Sequence, residues 1–169
     1  MVLLLNKSFV AQELQVAIGY REEDFNKFIE QSQIFDFREL VCEDFFNDLF
    51  ENMTDDKFVL LIDGGSYTFE NKTYHFKGLK SVLAYFTYAR FLMHSPVVST
   101  SHGVVIKETP HSSPLSLAER KNYYNHHRAN GGKLFEQVKK YIERVGTFES
   151  WDCKTDCKNS ASFNSTVIQ

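Results

Sequence analysis

Between Gly78 and Met93 the apolar residues fall on every side of a helical wheel: Leu79, Val82, Leu83, Tyr85, Phe86, Tyr88, Ala89, Phe91 and Leu92. Such a helix leaves no polar face for water, so it is either central to its domain or shared with a neighbouring molecule. Pro96 ends it, having no N–H to continue the ladder. The rest of the chain has to be built around this segment. A length of 169 residues makes one domain. At that size folding buries about 68–70% of the extended surface, so no disulfide or metal is needed to hold the fold. The chain has only 8 Gly and 3 Pro, about half the usual share of roughly 12%. Few chain-breakers mean long helices and few tight turns, which argues against a Gly/Pro-rich β-sandwich, a collagen and a disordered chain.

Other helices are legible from charge and spacing. Arg21-Glu-Glu-Asp24 places three carboxylates where a helix dipole favours them, and Phe25, Phe28 and Ile29 continue at helical spacing to about Gln33. A second helix is predicted from Asp36, with Glu39 closing a capping box and a stripe of Phe37, Leu40, Val41, Phe45 and Leu49, widened by Phe46 and Phe50. The run Phe58-Val-Leu-Leu-Ile62 is too short to separate strand from helix by pattern. Tyr67, Phe69, Tyr74 and Phe76 alternate with polar residues around Glu70-Asn-Lys72, which predicts a β-hairpin. Residues 1–20 carry only a weak pattern. Ser116-Leu-Ala-Glu119 is a capping box ahead of an amphipathic run to Val145, with Gly131-Gly132 as a place to kink. Between the last two helices lies an arm, 96–115, whose Val97-Val98 and Val104-Val-Ile106 flank a polar centre; an extended arm or a loose hairpin is expected. The fold class is therefore mainly α, a bundle of about four helices with a small β-hairpin and a long extended arm. One domain covers 1–146, and a polar tail covers 147–169.

Composition excludes several functions. A net charge of −3 with no run of basic residues gives no nucleic-acid footprint. Met1-Val-Leu-Leu-Leu5 is cut off by Asn6 and Lys7, short of the roughly 7–15 apolar residues of a secretory core, so neither export nor membrane insertion is expected. An odd count of 3 Cys fits a reducing compartment. Cys153 and Cys157 are spaced like half of a zinc site, but only Cys42 remains as a third thiol, so tail cysteines are the better reading despite His126-His127 upstream. His75, His94, His102 and His111 lie around the hairpin and the arm with no convergence to make one a base or a ligand. Asp63-Gly-Gly65 lacks the lysine and spacing of a phosphate loop and reads as a turn. Glu13, Glu22, Glu23, Asp24, Glu43, Asp44 and Asp48 read as solvated helix faces rather than a two-metal site. Asn71-Lys-Thr73 and Asn164-Ser-Thr166 match glycosylation acceptors, which carry no weight in a chain with no export signal. No catalytic residue, metal site or cofactor is expected. Among 16 Phe, 8 Tyr and 1 Trp, each burying about 150–250 Å², most belong to a Phe-rich core and some are available to a partner.

The segment Gly78-Leu-Lys-Ser-Val-Leu-Ala-Tyr-Phe-Thr-Tyr-Ala-Arg-Phe-Leu92, then Gly103-Val-Val-Ile-Lys107, then Ser112-Ser-Pro-Leu-Ser116 before a long closing helix, resembles the head-to-tail connector proteins of tailed bacteriophages. The likeness is to the portal-adaptor ring proteins of Bacteroides-infecting and crAss-like phages. It covers packing motifs of the stretch 78–142 and leaves the tail with Cys153 and Cys157 unmatched. The resemblance implies a non-enzymatic virion protein at the portal–tail junction, made in the host cytoplasm. It would form a ring of about twelve copies, bind the portal protein and other connector or tail proteins, and extend a channel through which DNA passes without sequence-specific contact. Residues Val97, Val98, Val104, Val105, Ile106 and Lys107 are the expected subunit contacts. Leu79, Leu83, Tyr85, Phe86, Tyr88 and Phe91 form the packing helix, with surface to spare for a neighbour. The alternative is a small cytoplasmic helical adaptor or regulator, dimeric through its aromatic face.

Overall fold

The computed structural model describes residues 2–16, 19–95, 97–101, 103–106 and 115–151. Six helices and two hairpins follow one another: α1 Lys7–Glu13, α2 Glu22–Gln31, a π-helical turn Ser32–Phe37, α3 Glu43–Glu51, α4 Asp56–Asp63, β1 Gly64–Phe69, β2 Lys72–Lys77, α5 Leu79–His94, β3 Val97–Thr100, β4 Gly103–Ile106, α6 Leu117–Val145, and a 3₁₀ turn Glu149–Trp151. The mainly α architecture is the expected one, with the two short helices α1 and α4 in addition. α1 is only seven residues with one buried side chain, Val10, too brief for a period to show; it is fixed by Asn6, whose Oδ1 accepts the Phe9 N–H at 2.9 Å. The ambiguous run 58–62 is helical, and Gly64 at φ 82° stops it.

α5 is the central element. It packs along α6 and also touches α1, α2, the π turn and α4. Leu79, Val82, Leu83, Ala84 and Ala89 are fully buried, and Phe86 and Phe91 nearly so. Most of the all-round apolar surface is thus consumed inside the chain, and Tyr85 and Tyr88 are half-buried. Of the two readings for such a helix, central to its domain or shared with a neighbour, the burial corresponds to the first.

The expected break between the first two long helices lies elsewhere. α2 runs on into the π turn, closed by Arg38 N–H donating to the Gln33 carbonyl at 3.2 Å, and α3 starts at Glu43 rather than Asp36. Tertiary partners decide this. Ser32 Oγ lies 2.8 Å from Thr87 Oγ1, Gln33 Oε1 accepts the Leu4 N–H at 2.7 Å, and Asp36 meets two arginines. In the widened backbone all three buried polar side chains meet a partner, where an orphan would cost about 1–3 kcal/mol each. Phe37 and Val41 still enter the core, so the apolar stripe is real but divided between two elements.

α6 carries the expected capping box, Glu119 N–H to Ser116 Oγ at 3.2 Å and Ser116 N–H to Glu119 Oε2 at 2.9 Å. It runs unbroken through Gly131-Gly132 to a left-handed Gly146 at φ 64°. At Gly131 the missing side chain makes room for Phe86, since a Cβ would sit 2.6 Å from Phe86 Cε1, so α5 and α6 approach closely here. The packed body does not end at 146. Phe148 is 4% exposed and packs against Phe45, Phe58 and Tyr141, and Trp151 lies edge-on to Phe45 at 5.0 Å. Phe148 is therefore a core residue and Trp151 packs against the body, both beyond the boundary expected at 146.

Candidate subunit-contact surface

The expected arm is a hairpin. β3 and β4 pair antiparallel in the register Val97↔Ile106, Val98↔Val105, Ser99↔Val104 and Thr100↔Gly103, joined by the two residues 101–102. Opposed residues share a face, so Val97 and Val105 belong to opposite faces of the ribbon. Both are exposed, at 38% and 47%. Neither face is covered at these positions, and among the described residues the ribbon packs extensively against no helix. The side chains of Val98, Val104 and Ile106 and the whole of Lys107 lie outside the described residues, as do His102 and His111. Where α6 begins, Leu115, Leu117 and Tyr123 are exposed too. Tyr123, with Glu119, Asn122 and His126, edges an open groove of about 420 Å³.

Beneath this end the helices are tied by charge. Asp36, 2% exposed at its side chain, takes Arg90 Nε at 2.5 Å and Arg128 Nη2 at 3.3 Å. Arg90 also lies over the exposed Phe35 ring at 5.5 Å. Arg120 donates to the Met93 carbonyl at 3.0 Å, closing the last turn of α5, while its Nε is buried without a partner. Burial first, then the charges of Arg90 and Arg120, hold the His94 imidazole below its ordinary value. Burial, with His126 beside it, does the same to His127, which lies edge-on to Tyr88 at 4.8 Å. These contacts join the π turn and α6 to the C-terminal half of α5, which the hairpin follows in the chain. Sequence reasoning missed the Asp36 pair because Asp36 was read as a helix start; Asp36 and Arg90 are 54 residues apart, and nothing local links them.

The residues weighed for chemistry are scattered. Among the described residues no three His, Cys, Asp or Glu side chains converge to hold a metal ion. Glu13 pairs with Lys77, Asp24 with Arg21 and Lys27, and Glu43 with Arg38. Asp63 ends α4, and Gly64 and Gly65 open β1, where they pair with Lys77 and Phe76. Cys42 precedes α3, its Sγ 3.3 Å from the Ser150 carbonyl. Cys153 and Cys157 lie outside the described residues. No described helix is long and apolar enough to cross a membrane. A protein-family model described as a family of unknown function, DUF6712, matches residues 37–161, which takes in everything from the end of the π turn through α6. No curated protein and no solved structure matches the chain.

Proposed function

The chain belongs to the DUF6712 family of unknown function, and we propose that it is a structural virion protein, a head-to-tail connector that forms a ring beneath a phage portal. In this reading the ring extends the DNA channel, docks tail proteins, and performs no reaction. One observation carries it: the β3–β4 hairpin stands outside the packed body with valines exposed on both faces. A lone two-stranded ribbon is marginal in water, and an open ribbon edge is a ready template for strand addition by a neighbour. The motif likeness of the stretch 78–142 to portal adaptors supports the same assignment, and the unbroken α6 supplies the rigid strut such a ring needs.

The test is direct. Purified protein is mixed with the portal encoded alongside it and imaged by electron microscopy, next to a variant carrying Val104→Ser, Val105→Ser and Ile106→Ser. The expected result is a ring on the portal for the native chain and a folded monomer for the variant. Rings of normal size from the variant would remove the hairpin's role. Absence of the protein from purified particles by mass spectrometry would remove the assignment itself.

A further inference from the structure

α6 is one helix with two unlike halves. Between Leu117 and Asn130 only Arg120 is buried, whereas Gly131, Phe135, Val138, Tyr141 and Ile142 are buried in the half that follows. That second half is held by rings: Tyr141 stacks on Phe76 at 4.3 Å, and Phe135 meets Phe37 at 6.4 Å. The first half is held mainly by polar contacts to α5 and the π turn. Arg120 Nη1 donates to the Met93 carbonyl at 3.0 Å, Arg128 Nη2 lies 3.3 Å from Asp36 Oδ1, and the His127 ring stands edge-on to Tyr88 at 4.8 Å. Two of these side chains are incompletely satisfied. Arg120 Nε and His127 Nδ1 are buried with no partner in the protein, and α6 has no such atom beyond Gly131. A buried donor or acceptor without a partner favours any state in which water reaches it.

The boundary between the halves is Gly131-Gly132. Phe86 fills the space that a side chain at Gly131 would take, so packing on α5 is tight up to this point, and around Gly132 there is no atom within 4 Å of where a Cβ would stand. After proline, glycine is the poorest helix former, so the helix gives way here at the least cost. We propose that residues 117–130 are a latch, which leaves α5 as one unit and is released as far as Gly131-Gly132 while the rest of α6 stays packed. Once detached, a helix of about 12–15 residues is marginal in water and melts. Opening strands no charge. Asp36 keeps Arg90, whose Nε and Nη2 bond it at 2.5 and 3.0 Å. Arg128 moves into water together with Tyr124, to whose hydroxyl it donates on the same helix at 2.7 Å. Release uncovers Tyr88 and Met93 on α5 and frees the start of α6, which follows the β3–β4 hairpin in the chain. The closed form is the strut of the ring reading, and the latch stands or falls apart from that reading.

Hydrogen exchange of the full-length chain, followed by mass spectrometry at neutral pH, tests the latch. Amides of 121–130 should exchange at least about tenfold faster than those of 134–145 after correction for sequence. Arg128→Gln should speed exchange in 121–130 by at least about fivefold and leave 134–145 unchanged. Gly132→Ala introduces a Cβ that meets nothing within 4 Å, and it should slow exchange in 121–130 by about fivefold. Circular dichroism verifies that both variants keep the native helix content. Equal protection along the whole of α6 would show a single rigid helix and overturn the latch. So would an Arg128→Gln effect shared equally by both halves, or a Gly132→Ala chain that exchanges like the native one. A native chain with no protection at all in 121–130 has no closed form to open, and overturns it as well.

Discussion

The two hairpins are built alike and used differently. Each has antiparallel strands joined by two residues, and each leads into or out of α5. In β1–β2 the turn residues Glu70 and Asn71 take positive φ, as a tight primed turn requires, and the strand side chains are aromatic. Phe76 stacks on Tyr141 at 4.3 Å, Tyr67 meets the same ring at 5.1 Å, and Arg144 donates to Tyr67 Oη at 3.0 Å while lying 4.2 Å over Tyr74. In β3–β4 the side chains are β-branched, and Val97 and Val105 face solvent from opposite sides. A two-stranded ribbon needs a partner surface to be stable. The first hairpin finds it on α6 of its own chain. The second has none within the described residues, and that difference is what makes it a contact for another molecule.

If that contrast is right, substitutions in the first hairpin should cost stability and those in the second should cost assembly. Phe76→Ala should have the largest effect, about 3–5 kcal/mol off the unfolding free energy, read by urea denaturation; a loss below about 1 kcal/mol would mean the first hairpin is as detached as the second. Gly64→Ala comes next at about 1–3 kcal/mol, because φ is 82° and a Cβ would stand 2.8 Å from the Phe76 carbonyl oxygen. Acid should act on the other end of the molecule. His127 is held below its ordinary value by burial and His126, so the unfolded chain takes up the proton first. Stability at this site is fully present above the unfolded value near 6.5 and falls as the pH drops through it towards the lower folded value. Thermal unfolding between pH 7.5 and 5.5 should show this decline, and His127→Gln should reduce it, leaving the share of His94, which is lowered in the same direction. The smallest change in stability, within about 0.5 kcal/mol, is expected for Val97→Ser with Val105→Ser, although this variant should no longer form rings. A large drop in melting temperature would show that the second hairpin is packed after all.

Where the sequence was legible, the controlling interactions are local. The capping box at Ser116, the acidic first turn of α2, the aromatic alternation of β1–β2 and the helical period of 79–92 each depend on residues within one or two turns of each other. Where it was not, distant partners decide. The π turn exists because Ser32, Gln33 and Asp36 reach Thr87, Leu4 and the pair Arg90 and Arg128. Phe148 looked like the start of a polar tail until Phe45 and Phe58 gave it a pocket. The contact surface was legible in part: the β-branched arm was visible as a pattern, but whether its residues were free could not be read from their own neighbourhood.

The sequence by itself determined that this is a mainly helical chain with a greasy central helix, an aromatic hairpin and a β-branched excursion before a capped final helix, because periodicity and capping act over a few residues. Only the tertiary structure decided how the apolar surface is divided. α5 is spent on α6, α2 and the π turn, and the excursion, expected as an extended arm or a loose hairpin, pairs as a hairpin with Val97 and Val105 exposed. Burial is a property of what packs against a residue, and for these segments the packing partners lie tens of residues away or on another molecule.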